Sequence, residues 1–276
     1  MSLPEKQVWS QHGEDGIIAF LHSQVKHRDY RFVEIGCGSG EECNSRNLLE
    51  QGWAGVCVDA RKENIAHFRK AGFDKANLID LTVTAGTIGD LSKELYAEPD
   101  VFSLDIDSYD YYIADRLVRN GFRPKIICVE TNTFLRGTTS VEYREPFSRY
   151  EIQPEYGLYF GCSEGAWKHL LKDYRYCGME SSFTNAFFIR DTDYVPEVEQ
   201  SGYQTYFCEK YSMSGPDCQQ HLLSILLLML PQLSIRKHTK GHSHEDCGSA
   251  DLHSRRISKV CEELLGADRK ALAVGC

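Results

Sequence analysis

The run Leu104-Asp105-Ile106-Asp107-Ser108-Tyr109-Asp110 closes an apolar stretch with the densest group of carboxylates in the chain. A second apolar stretch closes on Glu130-Thr131-Asn132. Both read as strands of an open α/β sheet, where ligands lie beyond the carboxyl ends of the strands, near the reversal in strand order. Asp105, Asp107, Glu130 and Asn132 can then converge. An oxygen-rich set of that kind suits Mg2+ or a similar hard ion. Such an ion would hold a substrate hydroxyl and lower its pKa. A plainer use is also open, since Asp107 or Ser108 can cap the helix that begins near Tyr109. His12, in Ser10-Gln11-His12-Gly13-Glu14-Asp15, has two readings as well. The run can be a helix N-cap whose acids complement the helix dipole, or His12 can serve as a general base.

Residues 32–40, Phe-Val-Glu-Ile-Gly-Cys-Gly-Ser-Gly, run from a buried-type strand into a glycine-rich turn. Gly36, Gly38 and Gly40 let the backbone approach a ligand closely. A dinucleotide fingerprint needs glycine at the sixth position of the turn. Glu41 stands there, which argues against a nicotinamide-dependent oxidoreductase. An acidic residue, one apolar residue and then Gly-x-Gly-x-Gly resembles the first motif of the S-adenosylmethionine-dependent methyltransferases. A zwitterionic amino-acid tail needs an acidic partner for its ammonium, and Glu34 is placed to supply or orient one. Asp59 closes the next apolar run, Gly-Val-Cys-Val-Asp, where a carboxylate can accept both ribose hydroxyls.

These residues need a scaffold, and the first two hundred residues supply one by alternating strand and helix. Strands are expected at 31–36, 55–59, 76–83, 101–106 and 125–130, with helices at 16–26, 44–51, 62–71 and 109–120. Continuous apolar runs at 101–106 and 125–130 mark centrally buried strands. Strand-helix alternation with short glycine-marked turns predicts a parallel, doubly wound sheet with right-handed crossovers. Residues 132–162 lack periodicity and read as a long functional loop. Residues 163–172 form a short helix capped by Ser163, and 174–178 with 186–189 form a closing strand pair. The aromatics between Tyr143 and Phe160 can line a pocket or pack a lid. Past residue 195 the character changes. An apolar leucine stripe on a helix at 216–230 needs a partner surface and offers a homodimer contact. Residues 236–256 read as a flexible polar connector, although His238, His242, His244, Cys247 and His253 have zinc-compatible spacing. A last helix falls at 258–265. The expected domains are 1–195 and a helical extension at 196–276.

The 276 residues can bury a full core, and 42% hydrophobic with 26% charged content is ordinary for a globular protein. A net charge of −9 argues against a nucleic-acid substrate. No opening segment has the form of a secretory signal, and no apolar stretch is long enough to span a membrane. The 11 cysteines form no regular framework, which fits a reducing cytoplasm.

The ordered runs Ser10-Gln11-x-Gly13-Glu14-Asp15, Phe32-Val33-Glu34-Ile35-Gly36, Glu42-Cys43-Asn44-Ser45-Arg46 and Leu49-Glu50-Gln51-Gly52-Trp53 resemble the FkbM-like branch of class I methyltransferases. Ser103 to Tyr111, Val129 to Asn132, Tyr159 to Ser163 and Asn185 to Arg190 continue the likeness, which spans residues 9–191. The resemblance implies a Rossmann-like, mostly parallel seven-stranded sheet with helices on both faces. It also implies S-adenosyl-L-methionine over the first turn and methyl transfer to a small-molecule acceptor, commonly a hydroxyl of a sugar or polyketide. Glu34, Gly36, Gly38, Asn44 and Asp59 become cofactor contacts by this likeness, as do Gln11, Ala60 and Asp105. Asp80 would approach the adenine, and Asp105, Glu130 and His12 would act on the acceptor. Ser108-Tyr109 replaces the family's usual glycine. An N-methyltransferase of an amine, or a cofactor-binding module without turnover, remains an alternative.

Overall fold

The computed structural model describes residues 3–144, 146–150 and 157–191. The expected C-terminal helices and the His-rich stretch lie outside the described residues. The chain runs α1 (Glu14–Gln24), β1 (Arg31–Ile35), α2 (Arg46–Glu50), β2 (Ala54–Asp59), α3 (Lys62–Arg69), β3 (Ala76–Asp80) and α4 (Ile88–Leu91). It continues through β4 (Val101–Leu104), α5 (Asp110–Arg119), β5 (Ile126–Glu130), α6 (Glu164–Leu170), β6 (Tyr174–Met179) and β7 (Asn185–Arg190). The seven strands make one sheet in the order β3-β2-β1-β4-β5-β7-β6. Pairings from β3 across to β5 are parallel, and β7 runs antiparallel to both β5 and β6. Strand order reverses between β1 and β4. This is the Rossmann-like architecture with helices on both faces.

Two apolar layers explain why the central strands are continuously hydrophobic. Val33, Ile35, Phe102, Leu104, Ile127 and Val129 face one layer with Ile113 and Leu117 of α5 and Trp167 of α6. Phe32, Cys57, Val101, Ile126, Cys128 and Phe187 face the other with Ile17, Ile18 and Leu21 of α1 and Phe68 of α3. Strands β4 and β5 are buried along their whole length, so neither can afford the polar alternation of a half-exposed strand. The edge strand β3 is only partly buried and ends at Asp80 rather than 83. The four-residue α4 carries too little periodicity to be foreseen. Ser163 caps α6 as expected, its side chain accepting the Ala166 N–H. Cys37, Cys43, Cys57, Cys128, Cys162 and Cys177 are free and buried, as small hydrophobes would be. No helix among the described residues is long and apolar enough to cross a membrane.

At the amino edge of the sheet a buried ionic knot ties three segments together. Asp100, fully buried, accepts from His22 Nε2 at 2.9 Å and from Lys125 Nζ at 2.7 Å. It also takes the N–H groups of Asp29 and Tyr30, each at 2.9 Å. Lys125 adds bonds to the His27 carbonyl and the Asp29 carboxylate, both at 2.7 Å. Burial by itself pushes the Asp100 pKa up, but the bonds from His22 and Lys125 overcome it and hold it at about 2. A depressed folded-state pKa contributes stability above the unfolded value of 3.8 that is lost as pH falls toward 2. Denaturant titrations of wild type and Asp100→Asn should therefore converge by about 2 kcal/mol between pH 5 and pH 2. Lys125→Met should destabilise by about 3 kcal/mol at neutral pH, because it leaves a buried carboxylate short of its partner.

Candidate active site

The glycine turn after β1 is locked to the neighbouring strand ends. Gly36 N–H and Cys37 N–H both bond the Val58 carbonyl, at 2.8 and 3.1 Å, and Asp105 N–H bonds the Ile35 carbonyl at 3.0 Å. Gly36 has φ 95°, and a Cβ there would collide with the Asp105 carbonyl. Both its conformation and its surroundings require glycine. Asp59, at the end of β2, accepts Gly38 N–H at 3.0 Å, Arg61 N–H at 2.8 Å and Asn64 Nδ2 at 2.9 Å. Asp80 is its register partner on β3. Asp80 and Ala60 are exposed at the same edge.

Glu34 is buried beneath this turn. Its oxygens take Asn44 N–H at 3.0 Å, Ser45 N–H at 2.9 Å, the Ser45 hydroxyl and the Cys43 thiol. Burial raises its pKa, and those bonds pull it back. The carboxylate thus orients residues 43–45, Oε2 taking three of the bonds and Oε1 one. Asn44 turns its own amide to Ser103 Oγ at 3.0 Å.

The opening polar run is not the plain N-cap that its composition permits. Gly13 holds the N-cap position without a side-chain bond. Asp15 Oδ2 instead gathers the N–H groups of Val8, Trp9 and Ser10 at 2.8–2.9 Å, and the Ser10 hydroxyl at 2.8 Å. This curls the strap ahead of α1 toward the glycine turn. There Cys43 N–H bonds the Trp9 carbonyl at 3.1 Å. Arg46 lies 3.4 Å over the Trp9 ring while bonding the Gly40 carbonyl at 2.9 Å. Gln11 is exposed on the strap, and His12 is half-buried, its N–H bonded to Glu14 Oε2 at 2.7 Å.

Beyond β4 and β5, Asp105, Asp107 and Glu130 bring carboxylate oxygens within 4.8 Å of one another. Burial raises the Asp105 pKa, reinforced by Asp107 and Asp110, and Asp105 hydrogen-bonds Glu130. Burial likewise raises Glu130 well above its ordinary range, with Asp105 and Asp107 adding to it and Arg149 opposing. Buried carboxyls this close to one another disfavour ionising together. Asp107, exposed at φ 55°, pairs with Arg149 from the long loop.

Two expectations need correction here. Neither Asp107 nor Ser108 caps α5; Asp110 does the local work, accepting Ile106 N–H at 2.9 Å and Ser108 N–H at 3.1 Å. Its burial raises its pKa to about 6. Asn132 does not join the carboxylates, because its amide is fully engaged within the loop. It donates to the Leu158 and Phe160 carbonyls at 2.9 Å and accepts Phe134 N–H at 3.1 Å. Arg149, Glu14, Glu180 and Asn185 escaped sequence reasoning. Their only local signal is charge or amide beside glycine or apolar residues, and their partners are remote in sequence.

No protein-family model matches the sequence, and no curated protein matches it. Among solved structures, it is similar to an S-adenosylhomocysteine-bound Podospora anserina methyltransferase, PaMTH1. The identity is 18% over 66% of this chain and 80% of that one, with a TM-score of 0.43. The N-terminal domain of EvdMO1 with S-adenosylhomocysteine bound gives 15% identity, 66% and 80% coverage and a TM-score of 0.42. Monomeric WbdD gives 18% identity over 58% of this chain and a TM-score of 0.37, and the match spans 36% of WbdD.

The lock between Gly36 and Asp105 predicts that Gly36→Ala disrupts the fold itself. Its apparent melting temperature, followed by circular dichroism, should drop well below that of Gly38→Ala, whose Cβ meets nothing closer than 3.7 Å.

Proposed function

We propose that this chain is a class I S-adenosylmethionine-dependent methyltransferase of the FkbM-like branch, transferring a methyl group to a hydroxyl of a small molecule. One observation carries the reading. The glycine turn, its Gly38 N–H held by the Asp59 carboxylate, opens at the switch point between β1 and β4, and the acids Asp105 and Glu130 follow β4 and β5 at the same edge of the sheet.

The site fits such a cofactor in its donor set. Asp59 keeps acceptor capacity for ribose hydroxyls, since Oδ2 takes a single bond. Gly38 presents bare backbone, its Cβ position meeting nothing closer than 3.7 Å, Ala60 and Asp80 are exposed beside Asp59, and we assign Gln11, Gly36 and Asn44 to the cofactor as well. The cofactor, when bound, supplies a methyl group on a sulfonium that departs as a neutral thioether. Glu34 acts one step removed by holding residues 43–45. The strap at 8–15 packs against Cys43 and Arg46 beside the turn, where a bound cofactor would be shielded from water, which strengthens electrostatic interactions inside.

The acceptor hydroxyl loses its proton as the new carbon–oxygen bond forms, and the Asp105–Glu130 pair is the group that receives it. Burial makes that pair more basic than an ordinary carboxylate, which suits a general base working near neutral pH. His12 is a second candidate for this proton. The same oxygens, with Asp107, would hold Mg2+, an ion that lowers the pKa of a coordinated hydroxyl. Activity measured in EDTA separates these two uses.

Methyl transfer from labelled cofactor across a panel of hydroxylated acceptors tests the reading. Asp105→Asn should lower kcat by about 10²–10⁴-fold, the range for a lost general base, with affinity for S-adenosylhomocysteine retained. Because the base must be unprotonated, the wild-type rate should rise with pH. Arg149→Met removes a cation that lowers the Glu130 pKa, so it should move that limb to higher pH. Unchanged turnover in Asp105→Asn would remove the assignment.

A further inference from the structure

Next to the carboxylate pair, on the face of the sheet that α1 covers, lies a set of buried acceptors for which the methyl-transfer reading has no use. Glu130 on β5 and Asn185 on β7 are register partners across an antiparallel pair. Their side chains therefore share one side of the sheet. Asn185, 4% exposed, donates Nδ2 to Glu14 Oε1 at 2.8 Å. Glu14 is acceptor-only, so the amide orientation is fixed by chemistry. Asn185 Oδ1 is left turned away from Glu14, buried and without a hydrogen-bond partner.

The turn between β6 and β7 contributes the next group. Glu180 is fully buried, and its Oε1 receives the Ser182 hydroxyl at 2.6 Å, Thr184 N–H at 2.8 Å and Asn185 N–H at 3.1 Å. Its Oε2 is buried with no partner. Burial raises the Glu180 pKa to about 7, and the charge of Glu14 adds to that. Cys128, two residues before Glu130 on the same face, has its thiol pushed up by burial, then by Glu14, Glu180, Glu34 and Asp105. The charges of Glu14 and Glu180 thus act on the same thiol. No described lysine or arginine bonds Glu14, Glu180 or Asn185.

Unpaired buried acceptors are costly, so a native structure that keeps them has a donor to put there. The unpartnered oxygens here are an amide oxygen and a carboxylate oxygen, with the Glu130 carboxylate at the edge. With Glu180 ionised they offer acceptors only. A primary ammonium, with three N–H donors and one positive charge, matches them in number, polarity and sign. We infer that Asn185 and Glu180, flanked by Glu14 and Glu130, form a binding site for a primary ammonium group.

Glu14, Glu130, Glu180 and Asn185 are all buried, and the half-buried Asp105 stands at the same edge of the sheet. Under the methyl-transfer reading, on which the ligand's role rests, the acceptor is a hydroxylated amine anchored by its ammonium while its hydroxyl faces Asp105. The amino-acid tail of the cofactor is the other source of the same chemistry.

The test titrates 4-amino-1-butanol and 1,4-butanediol, which differ in one ammonium, into the full chain at physiological salt, with S-adenosylhomocysteine and MgCl2 alongside. Wild type is compared with Asn185→Leu and the near-isosteric Glu180→Gln, each checked for an unchanged melting profile. The aminoalcohol should bind at least about tenfold more tightly than the diol, and both variants should abolish that preference. If the variants instead weaken S-adenosylhomocysteine about tenfold, the site takes the cofactor's ammonium. Equal binding of aminoalcohol and diol, or Mg2+ as the sole ligand, would overturn the site. So would indifference of every ligand to both variants. Aminoalcohol binding without any S-adenosylhomocysteine binding would leave the ammonium site standing and remove the methyl-transfer reading.

Discussion

The carbonyl of Asp105 occupies the space that any side chain at position 36 would need, and much of the molecule is arranged around that contact. It forces glycine at the end of β1 and brings the end of β4 against the turn. It also sets the backbone from which the Asp105 carboxyl projects. Because β1 and β4 flank the reversal in strand order, the cleft opens where the turn and the carboxylates are both at hand. A shift of that junction would move the turn, Asp59 and Asp105 together. Position and chemistry are therefore coupled through backbone packing rather than through flexible side chains.

Charge is the second constraint. Glu34, Glu130, Asn185 and Asp105 lie on strand ends facing the α1 side of the sheet, and Glu14 comes down to meet them from α1 itself. Burial disfavours the ionised form of each carboxylate, yet they are gathered rather than dispersed. Hydrogen bonds from residues 43–45 stabilise the Glu34 carboxylate, burial and like charge raise Asp105 and Glu130 together, and Arg149 pairs with Asp107. The knot at Asp100 shows the contrasting solution at the opposite edge, where two basic side chains meet a single buried acid and hold it ionised. One end of the sheet is built for stability with charges paired. The other leaves acceptors open, as sites that bind cations or move protons do.

Much of the sheet was legible because burial writes itself into sequence as continuous apolar runs. Val101–Leu104 and Ile126–Glu130 announce central strands, and Asp105 and Glu130 fall at their carboxyl ends. Local chemistry was legible too, as with Ser163 three residues ahead of the Ala166 amide. What escaped depends on contacts between distant segments. Nothing near Asn132 says that its amide will be engaged by carbonyls from residues 158 and 160, and nothing near Asp107 points to Arg149. Asp15 reads as a helix-dipole acid until the strap folds back onto it. Asn185 and Glu180 look like ordinary turn residues, and only the pairing of β7 with β5 brings them beside Glu130.

The central claim is that the turn at Gly36–Gly40 with Asp59 holds an adenosyl cofactor, and calorimetric titration with S-adenosylhomocysteine addresses it most directly. NAD serves as the control ligand and Asp59→Ala as the control protein. The account predicts micromolar binding of S-adenosylhomocysteine and none of NAD, with affinity falling at least about tenfold in Asp59→Ala through loss of charged hydrogen bonds. Absence of binding in the intact chain, or binding indifferent to Asp59, would contradict it.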